Sequence, residues 1–318
     1  MFTLLVIAAG LVAAYLLLHL MVLKLPKCKS NVQLHGKVVI VTGANTGIGK
    51  TTALDLARRG GRIILACRDK RRAEEAILDI VMETGNREVV FMPLDLGSMQ
   101  SVRSFAENFL KSEPRLDILI NNAGLMNGGQ TVDGVGMIFG VNHLGHFLLT
   151  LLLLERLKES GPSRVVTVAS KGYEFGCIDF SCIDSHKDLG LGDSDWNLFE
   201  KYCHSKLCNI LFTHELAVRL QGSNVTCYSL HPGAIKTEIG RYARFGWKCV
   251  MTPITALFFV DAVSGAQTTL HCALQEGLES LSGRYFSSCS VQEVQAKAKD
   301  DKAARKLWEA SERLCGMS

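Results

Sequence analysis

The sequence lacks a strong excess of charge of either sign. Among its 318 residues, 35 lysines and arginines stand against 31 aspartates and glutamates, which gives a formal net charge of +4. It also lacks a basic run interleaved with aromatic residues, the pattern expected of a nucleic-acid binder. The composition therefore argues against a nucleic-acid partner.

The sequence has no closely spaced pairs of metal ligands. Its eleven cysteines include no Cys-x-x-Cys pair, and its nine histidines do not cluster with them. Zinc sites need such spacing, so no metal is expected. An odd number of dispersed cysteines is typical of reduced thiols on the cytosolic side of a membrane rather than of a secreted disulfide framework.

Charged residues are absent from the start of the chain. Between Phe2 and Leu23 there is no Asp, Glu, Lys or Arg, and as a helix this segment would be about 33 Å long, enough to cross a bilayer. Residues 1–24 are therefore predicted to be a transmembrane anchor helix, followed by a linker at 25–35. Three lysines by residue 29 place the remaining chain in the cytosol. The alternatives are a cleaved signal peptide, which would direct the protein to the secretory pathway, and a buried hairpin helix.

Beyond the linker, β-branched apolar runs alternate with amphipathic segments. The first run, KVVIVTG at 37–43, is continuous and bounded by glycines, as in a strand buried on both faces of a parallel sheet. Further strands are predicted at 62–67, 88–96, 116–124, 163–170 and 224–233. The alternation predicts a single-domain, Rossmann-like, doubly wound α/β fold over residues 36–290, without internal repeats.

The sequence makes separate predictions for two later segments. Residues 234–263 mix bulky apolar residues with cations, which favours a substrate flap facing lipid, with ordinary helix packing as the alternative. Residues 291–318 are predicted to form a solvated amphipathic helix.

The first predicted strand ends in the glycine-rich sequence TGANTGIG. Ligands of a doubly wound fold bind beyond the carboxyl ends of the strands. Glycines permit a tight turn and let a pyrophosphate approach the N-terminus of the next helix. The motif therefore predicts a dinucleotide site made by Gly43, Asn45, Thr46, Gly47, Ile48 and Gly49.

Two charged residues at the next strand ends bear on the choice of cofactor. An acidic residue after the second strand would favour NAD, whereas the arginine found there, Arg68, suits the 2′-phosphate of NADP. The sequence therefore predicts NADP(H), with a solvated Arg68 beside Asp69 as the alternative. Asp95 closes the third strand and is predicted either to contact the adenine or to cap a turn.

Tyr202 and Lys206 lie one helical turn apart within YCHSK. This spacing alone is ordinary, because any helix brings residues i and i+4 onto one face. A free phenol, with a pKa of about 10, is a poor base near neutral pH, and a neighbouring ammonium would lower that pKa. The pair is therefore a candidate acid/base if partners occur at the strand ends.

Taken in order, the motifs resemble the short-chain dehydrogenase/reductase superfamily. They are the glycine pattern at 43–49, NNAG at 121–124, Asn142, Ser170, Tyr202 with Lys206, and HPG at 231–233. Finer stretches, among them LACRD and SEPRLDILINNAG, are similar to the retinol dehydrogenase branch. The resemblance covers nearly all of the chain beyond the N-terminal anchor.

The resemblance implies an NADP-dependent oxidoreductase that interconverts a lipophilic alcohol and its carbonyl, with retinol and retinal as the first choice. Tyr202 would be the proton donor and acceptor, Lys206 would also bind the nicotinamide ribose, Ser170 would hold the substrate oxygen and Asn142 would position a water. As single residues, Ser170 could instead cap a turn and Asn142 could satisfy buried backbone. The further cofactor contacts implied are Leu96, Asn122, Ala123, Gly124, Pro232, Gly233 and Thr237.

One stretch departs from the branch. Ser170 and Tyr202 are 32 residues apart, and the polar segment 179–197 between them is predicted to be a lengthened loop near the substrate opening. Tyr173 has no lysine four residues later, so it is not nominated as the acid.

Other functions stay open beside the first choice. They are a steroid or lipid-aldehyde reductase and a non-catalytic dinucleotide-binding sensor or scaffold. The resemblance also implies the endoplasmic reticulum membrane, and it leaves open a homo-oligomer.

Overall fold

A computed structural model describes residues 26–233 and 261–317, together with the single residue Gly10. The predicted anchor apart from Gly10, most of the predicted flap, and Thr237 lie outside the described residues. Within the described ranges no single helix is long and apolar enough to cross a membrane, although one bent pair, Met137–Leu152 with Leu154–Ser160, meets the criteria of length and composition.

One eight-stranded sheet organises the described chain. Its strands are β1 Val38–Thr42, β2 Arg62–Cys67, β3 Val89–Pro93, β4 Ile118–Asn121, β5 Ser163–Val168, β6 Val225–His231, β7 Tyr285–Ser287 and β8 Ser290–Gln292. The spatial order is β3-β2-β1-β4-β5-β6-β7-β8, and only the edge strand β8 runs antiparallel to its neighbour. The predicted Rossmann-like, doubly wound sheet is confirmed, and its order reverses between β1 and β4, where ligands of such sheets bind.

Helices cover both faces of this sheet. They are α1 Gly47–Arg58, α2 Lys70–Thr84, α3 Met99–Ser112, α4 Met137–Leu152, α5 Leu154–Ser160, α6 Phe180–His186, α7 Asp195–Arg219, α8 Ala262–Leu274 and α9 Asp301–Leu314. Successive strand residues point to opposite faces, so Ile40 and Ile64 enter one core while Val39 and Ile63 enter the other. Burial on both faces explains why the strands are continuous apolar runs.

The C-terminal segment differs from the prediction of one helix over 291–318. Residues 290–292 form β8, and α9 begins at Asp301. Two residues with left-handed backbone, Ser288 at φ 51° and Cys289 at φ 54°, turn the chain from β7 back into β8. The helix can begin only after that hairpin, where the Asp300 side chain accepts hydrogen bonds from the first backbone N–H groups of α9.

The segment 179–197, predicted as a loop, contains the helix α6. Asp179 caps this helix by accepting hydrogen bonds from the backbone N–H groups of Ser181 and Cys182. The capping aspartate is a local signal for a helix start that the polar composition of the segment obscured. The long connection is therefore partly ordered by its own helix.

Candidate active site

Tyr202 and Ser170 meet at the carboxyl edge of the sheet. Ser170 lies two residues after the end of β5. Tyr202 lies in the first half of the 25-residue helix α7. Both side chains adjoin Gly172, where a Cβ would lie 3.4 Å from Ser170 Oγ and 4.0 Å from Tyr202 Cε1. Ser170 Oγ also accepts a hydrogen bond from the Gly172 backbone N–H at 3.1 Å, so the alternative role in capping a turn is present as well. One hydroxyl thus supports the local turn and faces the candidate acid.

Lys206 is the buried cation of the site. Its Nζ donates a hydrogen bond to the Val168 carbonyl oxygen at 3.0 Å and lies 5.4 Å from the centre of the Tyr202 ring. Burial lowers the pKa of Lys206 to about 8. The helical spacing of i and i+4 therefore does bring the two side chains together, as the sequence predicted.

The pKa of Tyr202 differs from the expected direction. Burial raises it to about 12, and the hydrogen bond with Ser170 offsets only part of that rise. The cost of burying a phenolate thus exceeds the stabilisation that the Ser170 hydroxyl gives it. Tyr202 is consequently a neutral phenol near neutral pH, which is the form that can donate a proton to a carbonyl oxygen.

Asn142 lies in a π-helical turn, Gly140–Leu144, within α4. Its Oδ1 accepts from the Leu125 N–H at 2.8 Å, while its Nδ2 donates to the Leu125 carbonyl at 2.9 Å and to Ser205 Oγ at 3.0 Å. The Asn142 amide therefore satisfies the backbone N–H and carbonyl groups of Leu125, which is the alternative role predicted for this residue. These bonds also hold the chain after β4 against α7; the positioning of a water stays a prediction.

The glycine-rich turn has the close contacts that its sequence predicts. Gly43 and Gly47 have positive φ angles of 64° and 54°. A Cβ on Gly49 would lie 2.5 Å from the Gly43 carbonyl oxygen and 2.5 Å from Asn122 Nδ2, and a Cβ on Gly43 would lie 3.0 Å from the Ala123 Cβ. The first turn of α1 is thus packed directly on the NNAG segment, and only glycine fits there.

A buried polar pair that the sequence did not reveal fixes this turn. Thr42 Oγ1 accepts from the backbone N–H groups of Asn122 at 2.9 Å and Ala123 at 3.0 Å, and it lies 2.9 Å from His146 Nε2. Burial lowers the pKa of His146 to about 3, so the ring is neutral. Its Nδ1 lies 3.3 Å from the Asn142 carbonyl oxygen, which can only accept. His146 therefore carries its proton on Nδ1 and accepts the Thr42 hydroxyl proton on Nε2.

Arg68 and Asp95 stand at the ends of β2 and β3. The Arg68 side chain is 68% exposed, and its Nη1 lies 4.0 Å from Asp95 Oδ2. Asp69 caps α2 by accepting from the Arg72 N–H at 3.1 Å, so its carboxylate is engaged locally. Asp95 Oδ1 accepts from the Gly97 N–H at 2.9 Å, which is the predicted turn role. Arg68 is left as the accessible cation at this strand end.

The other nominated cofactor contacts fall at the same edge. A Cβ on Gly124 would lie 3.5 Å from Lys206 Nζ and 3.6 Å from Asn142 Oδ1, so Gly124 opens the space above the buried cation. Leu96 is buried after β3, and Pro232 and Gly233 follow β6. Thr237 lies outside the described residues.

This edge fits a nicotinamide dinucleotide. Because glycines have no side chain, the backbone N–H groups at the start of α1 stay uncovered. A helix N-terminus of this kind stabilises a pyrophosphate. Lys206 supplies a buried donor beneath Gly124, and Arg68 supplies an exposed one at the end of β2. In the described ranges no group of three or more His, Cys, Asp or Glu side chains could hold a metal ion.

Tyr173, close to Ser170 in sequence, has a structural role. Its hydroxyl accepts from the Gln295 backbone N–H at 3.3 Å, and its ring packs on that of Tyr285 with centroids 5.4 Å apart. The side chain is buried. Tyr173 thus packs and braces the chain, and it lacks the neighbouring lysine that Tyr202 has.

A doubly wound sheet with a glycine-lined helix start and a paired Tyr and Lys at its carboxyl edge defines a nicotinamide-dependent oxidoreductase. The chain belongs to the short-chain dehydrogenase family: residues 37–182 match the family model "short chain dehydrogenase". Similarity to proteins of this family extends over nearly the whole chain.

The relatives include two named oxidoreductases and one solved structure. The chain is 50% identical to bovine dehydrogenase/reductase SDR family member 13, over 96% of this chain and 80% of that protein. It is also 50% identical to human retinol dehydrogenase 12, over 91% of this chain and 90% of that protein. A crystal structure of an uncharacterised protein from Mycobacterium paratuberculosis superposes with a TM-score of 0.69 and 34% identity, covering 93% of this chain and 97% of that one.

Proposed function

We propose that this protein is an NADP-dependent oxidoreductase that interconverts a lipophilic alcohol and its carbonyl, with retinol and retinal as the preferred pair. The observation on which the reaction rests is that Tyr202 and Ser170 converge at Gly172 beside the buried Lys206. A bound nicotinamide cofactor supplies or accepts the hydride. In reduction, Ser170 holds the carbonyl oxygen and Tyr202 gives it a proton; in oxidation, Tyr202 takes that proton back.

NADP rather than NAD is supported by Arg68. Its guanidinium is exposed at the end of β2, and the neighbouring Asp69 carboxylate is engaged in capping α2. A guanidinium matches the geometry and charge of a phosphate, whereas an NAD site usually presents a carboxylate here.

A lipophilic substrate is supported by an exposed aromatic cluster, which consists of Phe175, Trp196 and Phe199. Phe175 is 71% exposed and Trp196 62% exposed, and their rings lie 6.4 Å and 5.9 Å from that of Phe199. Phe199 precedes Tyr202 by one turn of α7, and Phe175 ends the short 3₁₀ turn after Ser170. Exposed apolar clusters of this kind mark binding surfaces, and this one adjoins the two elements that bear the catalytic hydroxyls.

The test uses the purified full-length chain in detergent, with NADPH and NADH assayed separately. The carbonyl panel contains all-trans-retinal, a steroid ketone, a long-chain aldehyde and propanal. We expect NADPH-dependent turnover with retinal as the best substrate. Preference for the steroid or the aldehyde would assign the activity to that class, and cofactor binding without turnover of any carbonyl would favour a dinucleotide-binding sensor.

We also propose that residues 1–24 anchor the protein in the endoplasmic reticulum membrane with the catalytic domain in the cytosol. The support is the uncharged run from Phe2 to Leu23 and the lysines that follow it. Asn224, in the sequon Asn-Val-Thr, is exposed. A glycosidase-sensitive increase in mass of the protein from cells would contradict the cytosolic orientation.

A further inference from the structure

Lys201, immediately before Tyr202 on α7, holds a buried ammonium between two carboxylates. Its side chain is only 7% exposed, and Nζ lies 2.7 Å from Asp188 Oδ2 and 3.2 Å from Asp193 Oδ1. Burial is the largest single influence and opposes the charge, but the hydrogen bonds and charges of Asp188 and Asp193 together outweigh it, so the pKa of Lys201 is raised. The Asp188 and Asp193 side chains are 16% and 48% exposed. An ion triad of this kind is weak evidence for added stability, yet it fixes its members in one arrangement when all are hydrogen-bonded.

The triad joins two segments, which we call the rim: residues 128–136 and residues 187–194. Asp193 uses its second carboxylate oxygen to accept from the Gly129 backbone N–H at 2.9 Å. A backbone bond of 2.9 Å from the Gly136 N–H to the carbonyl of residue 187 also connects the two segments. Lys201 thus ties both segments of the rim to the helix that bears Tyr202.

The rim borders the candidate active site. Its first segment begins four residues after Gly124, whose backbone faces Lys206 Nζ. The chain between them is held by two hydrogen bonds between Leu125 and Asn142, one donated by the Leu125 N–H and one by Asn142 Nδ2. Its second segment leads directly into α7 at Asp195. A long tail that extends from a carbonyl at Tyr202 along the start of α7 or past Gly124 would pass beside the rim.

Resting on the proposed function, we infer that Lys201 is a positioning residue that fixes the rim and thereby selects carbonyl substrates with long apolar tails. A fixed rim lowers the cost of ordering both the tail and the protein segments that contact it. A small carbonyl reaches Tyr202 and Ser170 without touching the rim, so its turnover does not depend on Lys201.

The test compares three variants of the full-length chain. Lys201→Met removes the charge at similar length, and Lys201→Arg keeps it. The triple variant D188N/D193N/K201M removes all three charges, so no buried carboxylate is left unpaired. Lys111→Met is the matched control, because Lys111 pairs with Glu107 on the exposed surface of α3. For each protein, kcat and KM are measured with all-trans-retinal and with propanal at saturating NADPH, and the melting temperature is recorded.

We expect the KM for retinal to rise about tenfold in Lys201→Met and in the triple variant, while kcat/KM for propanal stays within about twofold. Lys201→Arg should restore most of the retinal KM. An unchanged retinal KM in the folded triple variant, or equal losses with both carbonyls, would overturn the inference alone. Absence of wild-type turnover with every carbonyl would overturn the proposed function and this inference with it.

Discussion

Lys206 and Tyr202 lie one turn apart on α7, with the ammonium 5.4 Å from the centre of the phenol ring. Burial moves the two pKa values apart, that of Lys206 down to about 8 and that of Tyr202 up to about 12. Both shifts favour the uncharged form of the group. The pair is thus a neutral acid beside a cation that can lose its charge within an accessible range of pH.

The titration of Lys206 predicts a pH dependence of cofactor capture. The ammonium is present below its pKa of about 8 and is lost above it. If Lys206 binds the cofactor as a cation, kcat/KM for NADPH should be level near neutral pH and fall about tenfold per pH unit above about pH 8, because this parameter reports groups of the free enzyme. Tyr202, with its pKa of about 12, stays protonated throughout. Lys206→Met should give a low, level profile; a wild-type plateau extending to pH 10 would refute the assignment.

Arg68 should set the preference between the two nicotinamide cofactors. Arg68→Ala removes the exposed guanidinium that we assign to the 2′-phosphate, so the KM for NADPH should rise about 10- to 100-fold, as for the loss of a charged hydrogen bond. The KM for NADH should stay within about twofold. Arg71→Ala is the control, because Arg71 is a similarly exposed arginine paired with Glu75 on α2. Equal changes for both cofactors would argue against a phosphate contact.

Gly49→Ala should damage the cofactor site through sterics. The new Cβ would come within 2.5 Å of the Gly43 carbonyl oxygen, a backbone atom that cannot rotate away. Overpacking of this kind costs about 1–3 kcal/mol, so the melting temperature should fall. NADPH affinity, measured by fluorescence titration at a temperature where the variant is folded, should fall as well. Wild-type affinity in the variant would show that the turn does not hold the cofactor.

Trp196 should contribute to binding of the apolar tail. Trp196→Ala removes the 62% exposed ring next to Phe199, and the KM for retinal should rise several-fold, about the effect expected for losing part of an aromatic contact. Propanal turnover should be unchanged. Val218→Ala, at an exposed apolar position near the other end of α7, is the control. If Trp196→Ala instead lowers only the binding to lipid vesicles, the cluster faces a membrane and not the substrate.

The parallel sheet and most of the site could be predicted because their signals are local. Strands β1 to β6 are rich in apolar and β-branched residues, and the glycine turn follows β1 directly. β7 and β8 have only three residues each, and β8 is exposed. Such short strands show no apolar periodicity in the sequence, so they could not be predicted. Short edge strands depend on their partner rather than on their own composition.

The polar contacts that brace the site could not be predicted, because they join distant positions. Thr42 and His146 are 104 residues apart, and each has an ordinary role as a single residue. Lys201 looks like any cation in a polar stretch until α7 places it between Asp188 and Asp193. The pKa of Tyr202 likewise follows from burial, which spacing does not report.

The most direct measurement of the central claim is transfer of deuterium from C4-deuterated NADPH, prepared as each of the two C4 epimers, to all-trans-retinal. The purified full-length protein and Tyr202→Phe are compared, and the retinol is analysed by mass spectrometry. We predict retinol one mass unit heavier with one epimer of the cofactor. The variant should retain NADPH binding but lose about 10²- to 10⁴-fold in rate, the usual contribution of a general acid. Unlabelled retinol with both epimers, or a Tyr202→Phe variant as fast as the wild type, would contradict hydride transfer assisted by Tyr202.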